Sequence, residues 1–361
     1  MMKLKTLAMA ALLAVSIPAS AAWNLWDQFK SIDGLDASGR IIDRSDDRKI
    51  TTSEGQSYCM FFALVAGDRE SFDRMAVWME NNLAKGDVGK TLPMWLWGRR
   101  KDGAWGVIDT NNAADSDMWI AYDFLEAGRI WNEPKYTEKG RAMMKLIRTQ
   151  VRSVANLGDV ILPGRVGFEK EGTVVLNPSY YPLFILKRFA LEDPSWKSVY
   201  EGSLRSLVRS SPSGIAPDWA RFDKNGRLMK PEGEDYELGS YNAIRTYLWA
   251  GMMSKQDPAY AQLASLYRPM VRLTEQLNMP PEKVNVVTLE VNHPGNAGFG
   301  ACLLPMLGNS RTAGLIRTVL AAEPVSRDSY YTNMLSLFGL GYDSGRFAFD
   351  RDGRVILPAE H

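Results

Sequence analysis

Three clusters in this chain carry side chains suited to proton transfer. The first is Thr51-Thr52-Ser53-Glu54-Gly55-Gln56, just ahead of an apolar run from Tyr58 to Ala66. A glutamate can hand a proton to a leaving oxygen once burial or a neighbouring carboxylate raises its pKa. Gly55 and Ser53 leave room for a ligand to approach, and Tyr58 is close in sequence. The same residues also spell a capping box, as Thr51/Glu54 and again as Ser53/Gln56. An acid in a first helical turn complements the helix dipole. On spacing alone that structural role outweighs catalysis.

The second cluster, Ala114-Asp115-Ser116-Asp117, follows the polar stretch Asp109-Thr110-Asn111-Asn112. Its carboxylates suit an N-cap and a first turn. They lack the glycine and distal glutamate of an EF-hand loop. The third, Gly239-Ser240-Tyr241-Asn242, opens an apolar helical run, with Ser240 as the expected N-cap. Only two histidines exist, His293 and the terminal His361. A histidine-based metal centre and a serine–histidine system are therefore not expected. Gly295-Asn296-Ala297-Gly298-Phe299-Gly300 has the wrong spacing for a dinucleotide fingerprint, and no strand precedes it. No metal and no cofactor are expected.

The elements that must hold these clusters are helical. Phe72, Met75, Met79 and Leu83 recur at spacings of three and four. So do Met118, Trp119, Tyr122, Leu125 and Ile130; Met143, Met144, Leu146, Ile147 and Val151; and Ile244, Tyr247, Leu248 and Met252. Strand-like pieces are confined to places such as Gly106-Val107-Ile108 and Thr173-Val174-Val175-Leu176. An all-α domain with long, aromatic-bearing loops follows. The three clusters are spaced at one and two units of about sixty residues, the length of a helix pair with its loops. Such pairs closing into a ring would gather equivalent helix N-termini at one end.

Residues 1–21 are expected to be an export signal: Lys3 and Lys5, an apolar run from Leu7 to Ile17, then Ala19-Ser20-Ala21 as a cleavage site. That run is short for a membrane span, and no later stretch stays uncharged long enough to make one. Residues 22–361 read as a single domain, periplasmic or secreted. The net charge of +1 gives no basic footprint for nucleic acid. Among eleven tryptophans, Trp95, Trp97 and Trp105 fall in loop-like sequence, where flat sugar faces could stack on them. Cys59 and Cys302 could pair in an oxidising compartment, although Cys59 lies in an apolar run typical of free buried thiols.

At these residues the chain resembles the family eight glycoside hydrolases, within them the periplasmic cellulases encoded beside bacterial cellulose synthases. The resemblance runs through Arg48-Lys49-Ile50-Thr51-Thr52-Ser53-Glu54-Gly55-Gln56-Ser57-Tyr58, Leu96-Trp97-Gly98 and Ala114-Asp115-Ser116-Asp117. It continues in Leu162-Pro163-Gly164, Asn177-Pro178-Ser179-Tyr180, Pro217-Asp218-Trp219 and Ser240-Tyr241-Asn242-Ala243-Ile244-Arg245. Pro280-Pro281-Glu282-Lys283-Val284 and Tyr330-Tyr331 complete it. It implies an (α/α)6 barrel that hydrolyses β-1,4-glucan internally and with inversion, in support of cellulose synthesis and export, with the glucan chain and the synthase export complex as partners. The family's proton donor falls on Glu54. Its signature aspartate, nucleophile or binder of a distorted sugar, falls on Asp115. Trp97, Tyr180, Tyr241, Asn242, Arg245 and Tyr331 take substrate-binding positions.

One departure stands out. Relatives carry an aspartate as general base where this chain has Asn242. An amide cannot accept the proton of the attacking water. The upstream acids Glu232, Glu234, Asp235 and Glu237, or Asp115, are the alternatives for that role; otherwise the protein binds glucan without cutting it. Chitosan and xylan are the other substrates the family implies.

Overall fold

In a computed structural model that describes residues 23–358 apart from 33, 323, 324 and 328, each apolar period becomes a helix, except that Val151 falls in a strand beyond the end of its helix. The expected export signal lies outside the described residues. After α1 (Asn24–Ser31) the helices run as antiparallel pairs: α2 (Ser53–Ala66) with α3 (Arg69–Leu83), α4 (Ala114–Ile130) with α5 (Pro134–Arg148), and α6 (Leu183–Glu192) with α7 (Trp196–Ser210). The short α8 (Glu234–Glu237) precedes α9 (Ala243–Met252), which packs on α10 (Pro258–Leu266); α11 (Arg268–Leu277) follows. Next, α12 (Ala297–Leu307) pairs with α13 (Arg311–Ala322), and α14 (Tyr330–Asp343) returns to α1 and α2. The inner helices α2, α4, α6, α9, α12 and α14 form the ring of an (α/α)6 barrel.

Sequence decides which helices face inward. A helix apolar all round has to be buried, and α2, α4 and α9 are buried on nearly every face. The outer α3, α5 and α7 bury one stripe each. The barrel axis is filled by aromatic rings meeting edge to face: Tyr58 lies 5.0 Å from Phe338, Phe61 5.1 Å from Trp119, and Trp249 5.0 Å from Phe338. Such contacts add about 0.5–1.5 kcal/mol each beyond area burial. At Gly339 a Cβ would lie 2.2 Å from the Ala301 carbonyl oxygen, so α12 and α14 can approach this closely only with glycine there. Cys59 and Cys302 are both buried and free.

The strand content is wider than the two places read from the sequence. A three-stranded sheet joins β1 (Thr51–Thr52), β2 (Leu96–Arg99) and β3 (Trp105–Asp109). Short ladders also pair residues 151–154 with 158–161, 173–176 with 220–222, and 238–239 with 284–285. Pieces of two to four residues are too short for a period-two pattern to register. Trp97 and Trp105 are corrected accordingly: they sit on a hairpin rather than in a loop.

Candidate active site

The three clusters converge at one mouth of the barrel, each on the N-terminus of an inner helix. Thr52, not Thr51 or Ser53, is the N-cap of α2, its Oγ1 accepting from Gly55 N at 3.0 Å. The cap is held by the sheet, since Thr51 pairs with Trp97 and Thr52 with Leu96. Ser53 N also donates to the Trp95 carbonyl. The hairpin thus fixes the start of the helix that carries Glu54. On the other side, Ala114 N donates to Pro163 O and anchors α4, whose next residue is Asp115.

Ser240 does not cap α9; that expectation is corrected. The cap comes from another segment. Oδ1 of Asp218 accepts from Ser240 N at 3.0 Å, Asn242 N at 3.0 Å and Ala243 N at 2.7 Å. These are the unpaired donors that begin a helix, and a carboxylate is the strongest acceptor for them.

Arg245 ties the clusters together. Its side chain is 3% exposed. Nη1 donates to Glu54 Oε2, to Tyr58 Oη at 2.9 Å and to Asp115 Oδ2 at 3.1 Å. Nη2 donates to Ser179 Oγ at 3.2 Å and Asn242 Oδ1 at 2.9 Å. Asn177 Nδ2 donates to the same Asn242 oxygen at 3.1 Å, its own Oδ1 being taken by Ser179.

Burial raises the Glu54 carboxyl to about 7, against the pull of Arg245, and the Asp115 charge adds to the rise. A hydrogen bond between the two carboxyls favours the proton on Glu54. Burial also raises Asp115, while Arg245 and the Ser116 N–H hold it down. The pair is asymmetric, with the proton favoured on Glu54 and one guanidinium shared between the two carboxyls. Glu54 is still 21% exposed, open to a ligand.

The cavity at this point measures about 190 Å³ and is lined by Glu54, Trp95, Asp115, Tyr180, Asn242 and Arg245 among others. Five expected site residues, Glu54, Asp115, Tyr180, Asn242 and Arg245, therefore share it. The Tyr180 ring lies 5.8 Å from the Arg245 guanidinium. Trp97 stands to one side, stacked on Trp105 at 5.5 Å and beneath Arg40 at 4.4 Å; Trp105 is 51% exposed. Trp219 stacks on Phe168 at 5.7 Å and lies 6.1 Å from Tyr180, which lines the cavity. Tyr241 is 43% exposed at the rim, and Tyr331 Oη donates to its carbonyl at 2.5 Å. The upstream acids do not line the cavity: Glu232, Glu234 and Asp235 are exposed, Glu234 pairs with Lys283, and Glu237 is partly buried at the end of α8.

A proton-holding glutamic acid and a paired carboxylate, in a cavity lined by the rings of Trp95 and Tyr180, can cleave an acetal link between sugars. The family model of the glycosyl hydrolases family 8 matches residues 1–345. The chain belongs to glycosyl hydrolase family 8. Within it, an endoglucanase of Escherichia coli (strain K12) is 42% identical over 346 residues, covering 96% of this chain and 94% of the relative. An endoglucanase of Salmonella typhi is 44% identical over 347 residues, covering 96% and 93%. The crystal structure of an endo-1,4-D-glucanase from Vibrio fischeri ES114 superposes with a TM-score of 0.88 at 42% identity, over 93% of this chain and 99% of that one. The endo-β-1,4-glucanase CMCax from Acetobacter xylinum gives 0.72 at 25% identity, over 89% and 98%. A cold-adapted family 8 xylanase shares the fold at 14% identity and a TM-score of 0.68.

Sequence reasoning about this family 8 chain passed over Arg40 and the cap by Asp218. Arg40 carries no motif. Asp218 was visible only as the middle of Pro217-Asp218-Trp219.

Proposed function

We propose that the protein is an endo-β-1,4-glucanase acting with inversion. One observation carries the reading: Glu54, its carboxyl raised by burial, shares one cavity with Asp115, Arg245 and the rings of Trp95 and Tyr180. Glu54 protonates the leaving glycosidic oxygen. Asp115, held by Arg245, binds the sugar at the cleavage point and favours its distorted ring. Tyr180, Trp97, Tyr241 and Tyr331 line the path of the glucan, and Asn242 and Arg245 hold the polar floor. The glucan chain runs in the groove in both directions from the scissile bond, as internal cleavage requires.

Residues 1–21 are the export signal and residues 22–361 the catalytic domain, working in the periplasm or outside the cell. The described residues contain no helix long and apolar enough to cross a membrane. The physiological substrate is a β-1,4-glucan made by a cellulose synthase, whose export complex is the partner.

Release of reducing ends from carboxymethylcellulose tests the activity, with polarimetry following the anomer formed. No hydrolysis above a Glu54→Gln control overturns it. A second reading, glucan binding without cleavage, is favoured by Asn242 alone, because its amide leaves the place of a base without a proton acceptor. Oligosaccharide affinity without turnover, and turnover gained in Asn242→Asp, would establish that reading instead. A panel including chitosan and xylan decides the sugar.

A further inference from the structure

The glucanase reading leaves one proton without a destination. An inverting hydrolase needs a second carboxyl group roughly 6.5–9.5 Å from the acid, with the water between them. Asn242 cannot serve. Its Oδ1 faces Arg245 Nη2 and Asn177 Nδ2, two groups that can only donate there. The amide NH2 is therefore the part turned away from the guanidinium, and it can hold a water by its oxygen without taking its proton.

The other carboxylates are committed elsewhere. Asp115 accepts from Ser116 N and from the same Arg245 Nη1 that Glu54 accepts from, so it stands beside the acid rather than across the cavity from it. Asp117 is fully buried and bound to Asn112. Glu282 faces His293 and the Tyr241 phenol, out at the rim.

Asp218 remains. Its Oδ1 carries the three backbone bonds that start α9, one of them to Asn242 N at 3.0 Å, so the carboxylate adjoins the residue that replaced the family's base. Among the hydrogen bonds of the described residues, Oδ2 takes none, and the residue is only partly buried.

We propose that Asp218 is the general base of this enzyme, receiving the proton of a water held against the Asn242 amide. As the water oxygen bonds to the anomeric carbon, the bond from that carbon to the leaving oxygen breaks. The leaving oxygen takes the Glu54 proton, and the water proton passes to Asp218 Oδ2. Burial raises the Asp218 carboxyl despite the three N–H donors and Arg245, which makes it a better proton acceptor than an exposed aspartate. Three groups sense its charge or are sensed by it: Arg245 and Tyr247 from α9 and Tyr331 from α14.

The test is Asp218→Asn, which keeps an oxygen for the three N–H groups and so keeps the start of α9. With carboxymethylcellulose, kcat should fall about 10²–10⁴-fold with KM nearly unchanged, and the acidic limb of the pH–rate profile should vanish. Azide should restore turnover as a glycosyl azide, which a lost structural contact would not allow. Asn242→Asp in the Asp218→Asn background should restore hydrolysis. Wild-type kcat with the acidic limb intact in Asp218→Asn overturns the inference and leaves the glucanase reading standing. Loss of kcat together with loss of oligosaccharide affinity and no azide rescue also overturns it, reducing Asp218 to a cap. A wild-type protein as inert as Glu54→Gln overturns the glucanase reading, and this inference with it.

Discussion

Glu54 occupies a place in a helix where a carboxylate is easy to ionise, and yet it holds its proton. The dipole at a helix N-terminus favours the anion by up to about 1 kcal/mol, less than one pKa unit. Burial outweighs that and lifts the group to about 7. Hydrolysis should therefore fall away as pH rises through about 7, and Glu54→Gln should lower kcat by about 10²–10⁴-fold while oligosaccharide affinity survives in calorimetry. Arg245 is the counter-charge to both acids. Arg245→Met should cost about 3–5 kcal/mol in urea unfolding, because it strands buried carboxylates. At this scale Glu54, Asp115 and Arg245 were legible through their motifs. Asp218 was not: its bonds go to backbone 22 to 25 residues away, and a lone aspartate between proline and tryptophan reads as a turn.

At the scale of elements, the helices were legible because apolar periods of three and four survive in a single sequence. The β1–β2–β3 sheet was legible only at Gly106-Val107-Ile108 in β3, since β1 and β2 are short and Trp97 and Trp105 look like loop aromatics. The caps were misplaced by a residue or supplied from afar, as at α2 and α9. Close contact between α2 and α14 is equally invisible in sequence. A Cβ on Gly55 would lie 1.7 Å from the Tyr330 hydroxyl, which also contacts Thr52 Oγ1 at 3.3 Å. Gly55→Ala should push Tyr330 aside and cost about 1–3 kcal/mol, read as a lowered midpoint in denaturant. Hydrolysis should fall as well, since the same turn carries Glu54.

Across the whole molecule, burial raises several carboxyl groups above their ordinary range. Asp123 is fully buried, neither of its oxygens meets a hydrogen-bond partner in the described residues, and burial holds its pKa far above the ordinary value. Asp117 and Glu54 are raised as well. A raised carboxyl binds its proton more tightly folded than unfolded. Stability is then full below the unfolded value near pH 4 and declines as pH rises toward the folded value. Thermal melts should fall from pH 5 to pH 8, and Asp123→Asn should flatten that slope; an unchanged slope would remove Asp123 as its source. Cys59 and Cys302, both buried, should resist a thiol reagent until denaturant is added, and reductant should leave the melting temperature unchanged.

The ring closes by bringing its last inner helix against its first, and this bears on when the protein becomes competent. Glu54 and Arg245 are 191 residues apart, and Thr52 meets Tyr330 across 278. Contacts this distant along the chain are made late and slowly. A growing polypeptide carries its acid almost from the outset but gains the guanidinium that sets that acid's chemistry only after two-thirds of synthesis. Until the final helix arrives, the pocket has no wall on that side. The nascent chain is thus latent by construction, with no inhibitor needed to keep it so.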